Sequence, residues 1–117
     1  MKRLFPLAAI ALLIALLGAC SSEADKQLEA VKAARSVMAE WALIEEQSAT
    51  GETPQTYADQ MRDSAKRQLR TAQSSLVSGQ PKAAALIGNL ADGEPSAEAL
   101  KAAQDALDPL EKRLEHS

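Results

Sequence analysis

The chain has 117 residues, a formal net charge of −3, one cysteine and one histidine, a length that suits one small domain. An acidic chain without a basic tail argues against nucleic acid as the main partner. One cysteine excludes both a disulfide framework and a thiolate metal site.

The first twenty residues have the three parts of an export signal. Residues 1–3 carry two positive charges, residues 4–17 are an apolar run of fourteen, and residues 17–20 place two small residues before the cysteine. Fourteen helical residues span about 21 Å, which is short of the roughly 30 Å hydrocarbon core of a bilayer. The run is therefore interpreted as the core of a signal peptide rather than a membrane span.

The segment Leu17-Gly18-Ala19-Cys20 resembles the lipobox of bacterial lipoprotein precursors, and the resemblance is confined to residues 1–20. It implies cleavage between Ala19 and Cys20 and acylation of Cys20, which would bind the lipid bilayer. Ser21 follows where inner-membrane retention typically uses aspartate, so the resemblance implies the periplasmic face of the outer membrane in a host with two membranes. Two or three acyl chains attach a protein almost permanently. The alternative is an ordinary cysteine behind a secretory signal or an uncleaved anchor.

Removal of the signal peptide, residues 1–19, leaves 98 residues. We expect residues 20–25 to form a short lipidated tether and residues 26–117 to form one small α-helical domain. Ser22 can cap the first helix, with Asp25 three residues later as a weak capping box. The domain therefore begins almost at the lipid.

The first predicted helix runs to Ser48 and ends before a clear break. Gly51 suits a helix C-terminus, and Pro54 suits the first turn of the next helix. Apolar side chains recur at three- and four-residue steps, which is typical of a helix with one buried face. They are Leu28, Val31, Ala34, Val37, Met38, Trp41 and Ile44.

The second predicted helix runs from about Pro54 to Val77, and a short third helix follows as far as Leu90. The stops between the helices contain Gly79 with Pro81 and Gly93 with Pro95. The apolar line of the second helix is narrow and contains Tyr57, Met61, Ala65, Leu69, Ala72 and Leu76. The third helix contributes Leu86, Ile87 and Leu90.

Ser96 caps the fourth predicted segment, whose apolar residues follow steps of three and four over two heptads. They are Leu100, Ala103, Leu107, Leu110 and Leu114. Pro109 predicts a kink or a short re-start, because proline removes an amide donor and crowds the previous turn. The sequence thus predicts an all-α fold: a long antiparallel helix pair, with C-terminal segments that fold back to complete a three- or four-helix bundle.

The predicted core is thin. After cleavage, Leu, Ile, Val and Phe number 15 of 98 residues, while alanine contributes 19. Alanine favours helix formation but buries little apolar surface. We therefore expect modest stability, and self-association is one way for such a domain to gain a larger core.

Catalytic chemistry finds little support in these residues. Nucleophilic catalysis needs an activated nucleophile beside a base, yet Cys20 would be acylated and His116 lies in the C-terminal tail. A zinc site needs three or four ligands, and the chain has one histidine. Acidic residues lie on predicted helix surfaces or at helix starts, where they favour the helix dipole. We therefore predict no enzyme, no metal and no cofactor.

Two features point to an interface with a partner. Trp41 is the only tryptophan; burial in the core is the favoured interpretation, and an exposed interface anchor is the alternative. Arg62, Lys66 and Arg70 form a basic stripe that could contact anionic headgroups or an acidic partner. A solvated mixed face is favoured, because Asp59 and Asp63 are interleaved with these cations.

The leading functional hypothesis is a membrane-anchored, non-catalytic envelope lipoprotein that binds or scaffolds an unknown envelope protein. One alternative is a lipidated accessory chaperone for secretion or assembly, which would need an apolar groove. Another is a cell-wall enzyme, which would need a paired carboxylate at the mouth of a pocket.

Overall fold

The computed structural model describes residues 22–116, and 84% of them are helical. The helices are α1 (Glu23–Ala49), α2 (Gln55–Leu76), α3 (Pro81–Asp92) and α4 (Ala97–Glu115). Within 22–116 there is no strand, which confirms the predicted all-α bundle. The predicted signal peptide and Cys20 lie outside the described residues.

The predicted capping box is present at the start of α1. The Ser22 hydroxyl accepts the Asp25 amide at 3.1 Å, and the Asp25 carboxylate accepts the Ser22 amide at 3.4 Å. This arrangement satisfies two amides that a helix N-terminus leaves unpaired. Residues 23–25 are consequently helical, whereas the sequence analysis assigned them to the tether.

The turn from α1 to α2 depends on Gly51, whose φ of +76° lies in the left-handed region. The Gly51 amide donates to the Ser48 carbonyl, and the Glu52 amide donates to the Gln47 carbonyl at 2.9 Å. These two bonds form a Schellman motif, which satisfies the last carbonyls of α1. The predicted break at Gly51 is therefore confirmed.

The core lies around α1, which packs against both α2 and α4, while α3 packs mainly against α2. Small and large apolar side chains alternate through it, so alanines allow the helices to approach closely. The larger members of the core are Val31, Val37, Met38, Trp41, Leu69, Leu76, Ile87, Leu90, Leu100, Leu107, Leu110 and Leu114.

The first turn of α2 differs from the prediction. The sequence predicts Tyr57 on the apolar line, yet Tyr57 is 49% exposed, and Ala58 is fully buried instead. Consecutive helical residues are rotated by about 100° around the axis, so the burial of Ala58 turns Tyr57 towards solvent. The remainder of the predicted line faces inward, with Met61 half-buried.

Helix α4 continues through Pro109, without the predicted re-start. The five residues of its predicted seam are all buried. One turn before the proline, the Gln104 carbonyl accepts a hydrogen bond from Arg35 Nε at 3.1 Å. The amide that Pro109 lacks would have donated to the Asp105 carbonyl, so packing of the buried seam against α1 holds the helix together there.

The turn between α2 and α3 lies against the start of α1. Gln80 Nε2 donates to Gln27 Oε1 at 3.3 Å, and Gln27 is 7% exposed. A β-carbon on Gly79 would collide with the Gln27 side chain. The glycine therefore permits the close approach that joins these two segments at one end of the bundle.

Candidate functional site

Three of the four residues predicted for an interface lie together in one small cleft. Trp41, Arg62 and Lys66 line this space of about 180 Å³, which we call the Trp41 cleft. Its other lining residues are Glu45, Glu94 and Pro95. The fourth predicted residue, Arg70, does not line it.

Trp41 is 2% exposed and belongs to the core. Its indole N–H donates to Glu45 Oε2 at 2.9 Å, so the polar edge of the buried ring has a partner. A side chain this buried cannot act as the exposed interface anchor considered in the sequence analysis. The favoured interpretation, a tryptophan packed in the bundle, matches the structure.

Arg62 joins α2 to the end of α1 through Glu45. Its Nε donates to Glu45 Oε2 at 2.6 Å, and its Nη2 donates to Glu45 Oε1 at 3.2 Å. Further bonds reach Asp59 at 2.9 Å and Ser48 at 3.2 Å. The fork-shaped guanidinium is thus occupied within the protein, as a bidentate pair requires.

This pairing controls the ionisation of Glu45. The hydrogen bond from Arg62 lowers the pKa of the Glu45 carboxyl, and the Trp41 N–H acts in the same direction, while burial opposes both. The same pair raises the pKa of Arg62. With both oxygens engaged and a lowered pKa, Glu45 is a poor general acid or base for the enzyme alternative, although Glu94 lines the same cleft.

The other two cations of the predicted stripe have different roles. Lys66 is half-buried and forms no ion pair within 4 Å in the part of the chain that the structure describes. Arg70 Nη2 lies 3.4 Å from both the Ala91 carbonyl and the Asp92 carboxylate, at the C-terminus of α3. Arg62 and Arg70 therefore connect helices instead of forming a free basic stripe.

A second ionic cluster, between α1 and α4, was missed by the sequence analysis. Arg35 Nη1 lies 3.0 Å from Glu111 and 3.2 Å from Asp108. Asp108 also pairs with Lys112, whose hydrogen bond lowers the pKa of that aspartate. The one available signal is that Asp108 and Glu111 are three residues apart on a helix and share a face; nothing local identifies Arg35 as their partner.

A further concavity lies where α3 and α4 contact each other only weakly. It has a volume of about 470 Å³ and we call it the α3–α4 groove. Leu86, Leu107 and Leu110 supply its larger apolar side chains, and Lys82 and Arg113 are its charged residues. The rest of the lining is Gln80, Pro81, Ala83 and Ala106.

The groove follows from the different partners of these two helices. Helix α3 packs mainly on α2, and α4 packs mainly on α1, so the space between them is left partly open. The sequence predicts these leucines as core residues, and nothing in their spacing predicts a groove. Periodicity shows which face of each helix is apolar, but not how far apart two such faces stand.

Residues 22–116 contain no helix that is long and apolar enough to span a membrane, and no group of three or more His, Cys, Asp or Glu side chains there could hold a metal ion. His116 is exposed at the end of α4.

No protein-family model, curated protein or solved structure matches the chain.

Proposed function

We propose that this protein is a membrane-anchored, non-catalytic envelope lipoprotein that binds another envelope component through the α3–α4 groove. The anchor would be acylated Cys20, as the lipobox resemblance implies. The groove supports the binding role, because it combines an apolar floor with two cationic side chains, a combination typical of binding sites. The outer membrane, facing the periplasm, remains the proposed location.

The accessory chaperone is the second candidate, and the same groove favours it, since a chaperone needs an apolar surface for its client. The two functions differ in the number of ligands. A scaffolding module should bind one component, whereas a chaperone should bind several unfolded outer-membrane proteins.

The anchor is tested by the mass of the mature protein. We expect a chain that begins at Cys20 and carries acyl groups, and Cys20→Ser should leave the precursor uncleaved and without acyl mass. A mature form that begins elsewhere, or lacks acyl mass, contradicts the proposed anchor.

The groove is tested by a photoreactive amino acid at Ala106, which is exposed and lines the groove. The control is Ala39, which is exposed on α1 away from it. In living cells we expect one discrete adduct from position 106 and none from position 39. Many different protein adducts would favour the chaperone, and the same adducts at both positions would contradict binding in the groove.

A further inference from the structure

The α3 side of the α3–α4 groove reaches the end of the bundle where α1 begins. Gln80 lines the groove and donates to Gln27, which lies in the second turn of α1. Helix α4 runs antiparallel to α1, since Lys101 near its start pairs with Glu46 near the end of α1. Arg113, in the last turn of α4, follows Glu111, which pairs with Arg35 near the middle of α1, so the α4 wall of the groove lies further from the start of α1 than Gln80 does.

In the anchored protein, the end of the bundle where α1 begins would face the bilayer. This step rests on the proposed function, because it requires the lipid anchor at Cys20. Three residue steps separate Cys20 from Glu23, which is at most about 11 Å of extended chain. Gln27 lies four helical steps further, or about 6 Å along the axis. The Cα of Gln27 is consequently held within about 17 Å of the Cα of Cys20, and Gln80, which lines the groove, contacts the Gln27 side chain.

The groove's chemistry matches an anionic amphiphile. Its floor is apolar, its charged lining residues are Lys82 and Arg113, and no acidic side chain of residues 22–116 lines it. Val77, on the adjoining turn, is 59% exposed, which places another apolar side chain at the same end. Apolar surface beside cations is the combination by which proteins bind anionic lipid surfaces.

The length of the groove favours an acyl chain over a helix from a partner protein. Along α4 the lining runs from Ala106 to Arg113, which is about 10 Å at 1.5 Å per residue. A helix of 12 residues would be about 18 Å long. A single acyl chain can enter a short groove by part of its length, while its headgroup stays at the bilayer surface.

We propose that the α3–α4 groove binds one acyl chain of an anionic phospholipid from the membrane to which the protein is anchored. The phosphate of that lipid lies near Lys82, on the α3 side of the groove, and the chain packs on Leu86, Leu107 and Leu110. The bundle thereby rests on the bilayer in one orientation, with the connection between α1 and α2 turned away from it.

The test uses the processed, acylated protein in phosphatidylglycerol vesicles that contain a trace of phosphatidylglycerol with a diazirine on its acyl chain. After irradiation and proteolysis, mass spectrometry locates the attached lipid. We expect label on peptides that contain residues 81–86 and 106–113. Because only vesicle lipid carries the diazirine, the protein's own acyl groups are not detected.

Three variants make the test specific. Ala106→Trp fills the groove from an exposed position and should lower this labelling about tenfold, whereas Ala39→Trp should leave it unchanged. Lys82→Gln should lower labelling in phosphatidylglycerol towards the level found in phosphatidylcholine vesicles. Lys82 and Ala106 are both exposed, so thermal melting should show all three variants folded.

Equal labelling in all variants, or label absent from the groove peptides, would overturn the lipid assignment. If a protein adduct forms at position 106 in cells while no lipid label appears, the proposed binding function stands and this inference fails. A missing acyl mass on Cys20 overturns the proposed anchor, and that mass is measured before the vesicle experiment.

Discussion

Replacement of Trp41 by alanine tests the core directly. The indole is 2% exposed, and on the side away from the Trp41 cleft, lined by Val37, Ile44, Met61 and Ala65 among others, the gap beside it is only about 10 Å³. Truncation of a buried tryptophan typically costs about 3–5 kcal/mol. A domain of this size has a free energy of unfolding of roughly 5–14 kcal/mol. Trp41→Ala should therefore remove a large fraction of the stability.

The assay is thermal and urea unfolding of the mature chain. Since 1 kcal/mol shifts Tm by about 4–8 °C in a domain of this size, we expect a fall in Tm of at least about 12 °C. Trp41→Phe is the matched control, because it keeps most of the ring and loses the N–H that donates to Glu45. Its cost should be smaller, about 1–3 kcal/mol.

The fluorescence of the same protein gives an independent measurement, since Trp41 is the only tryptophan. A buried indole should emit at a blue-shifted maximum that moves to longer wavelength on unfolding. A maximum close to that of free tryptophan, together with an unchanged Tm for Trp41→Ala, would refute the core assignment.

Three further predictions concern single contacts. Arg62 lowers the pKa of Glu45 below its ordinary value of 4.5, so the pair stabilises the fold above that pH and loses this effect as the pH falls through the lowered pKa. Glu45→Gln should cost about 1 kcal/mol at pH 7 and weaken the acid dependence of Tm. An unchanged dependence of Tm on pH would contradict this role of the pair. Gly51→Ala should cost about 1–2 kcal/mol in urea unfolding, because the φ of +76° is strained for alanine. Gly51→Asn should cost less. Equal stability of the unmodified protein and both variants would argue against the left-handed turn. Arg35→Met should cost about 1 kcal/mol, since it leaves Asp108 and Glu111 without their partner on α1. A double variant that also carries Glu111→Gln should show a coupling energy between the two substitutions. Strict additivity of their costs would exclude the ion pair.

Local signals in the sequence were sufficient for the helix ends. The Ser22 and Ser96 side chains each accept an amide three residues later, and Gly51 adopts the left-handed conformation at the end of α1. These interactions join residues that are close in the chain, so the residue types alone predict them. The seam of α4 was equally predictable, because its spacing of three and four residues places every member on one face.

Errors occurred where one helix meets another. Tyr57 and Ala58 are adjacent, and which of them faces inward depends on the rotation of α2 against α1. A propensity for apolar burial favours the larger Tyr57, but packing places the alanine inside. Pro109 is similar, since a proline usually interrupts a helix, yet α4 is held on both sides of it by contacts with α1.

In the candidate site, too, the residue types were visible in the sequence, but their contacts were not. The sequence identified Trp41, Arg62 and Lys66 as unusual residues, because a lone tryptophan and a four-residue spacing of cations are visible without a structure. The long-range ion pairs were not visible: Arg62 pairs with Glu45, 17 residues away in the chain, and Arg35 pairs with Glu111, 76 residues away. Long-range ion pairs depend on which helix faces which, and no local pattern encodes that.

By itself, the sequence determined the helices, the serine caps of α1 and α4 and most of each apolar face, because these depend on neighbours within about one turn. The tertiary structure alone decided that α3 packs on α2 and α4 on α1, which leaves the α3–α4 groove open between Leu86 and Leu110. The physical reason is that apolar burial has no direction. It requires each face to be covered, while the shapes of the packed side chains decide which helix covers it and where a gap remains.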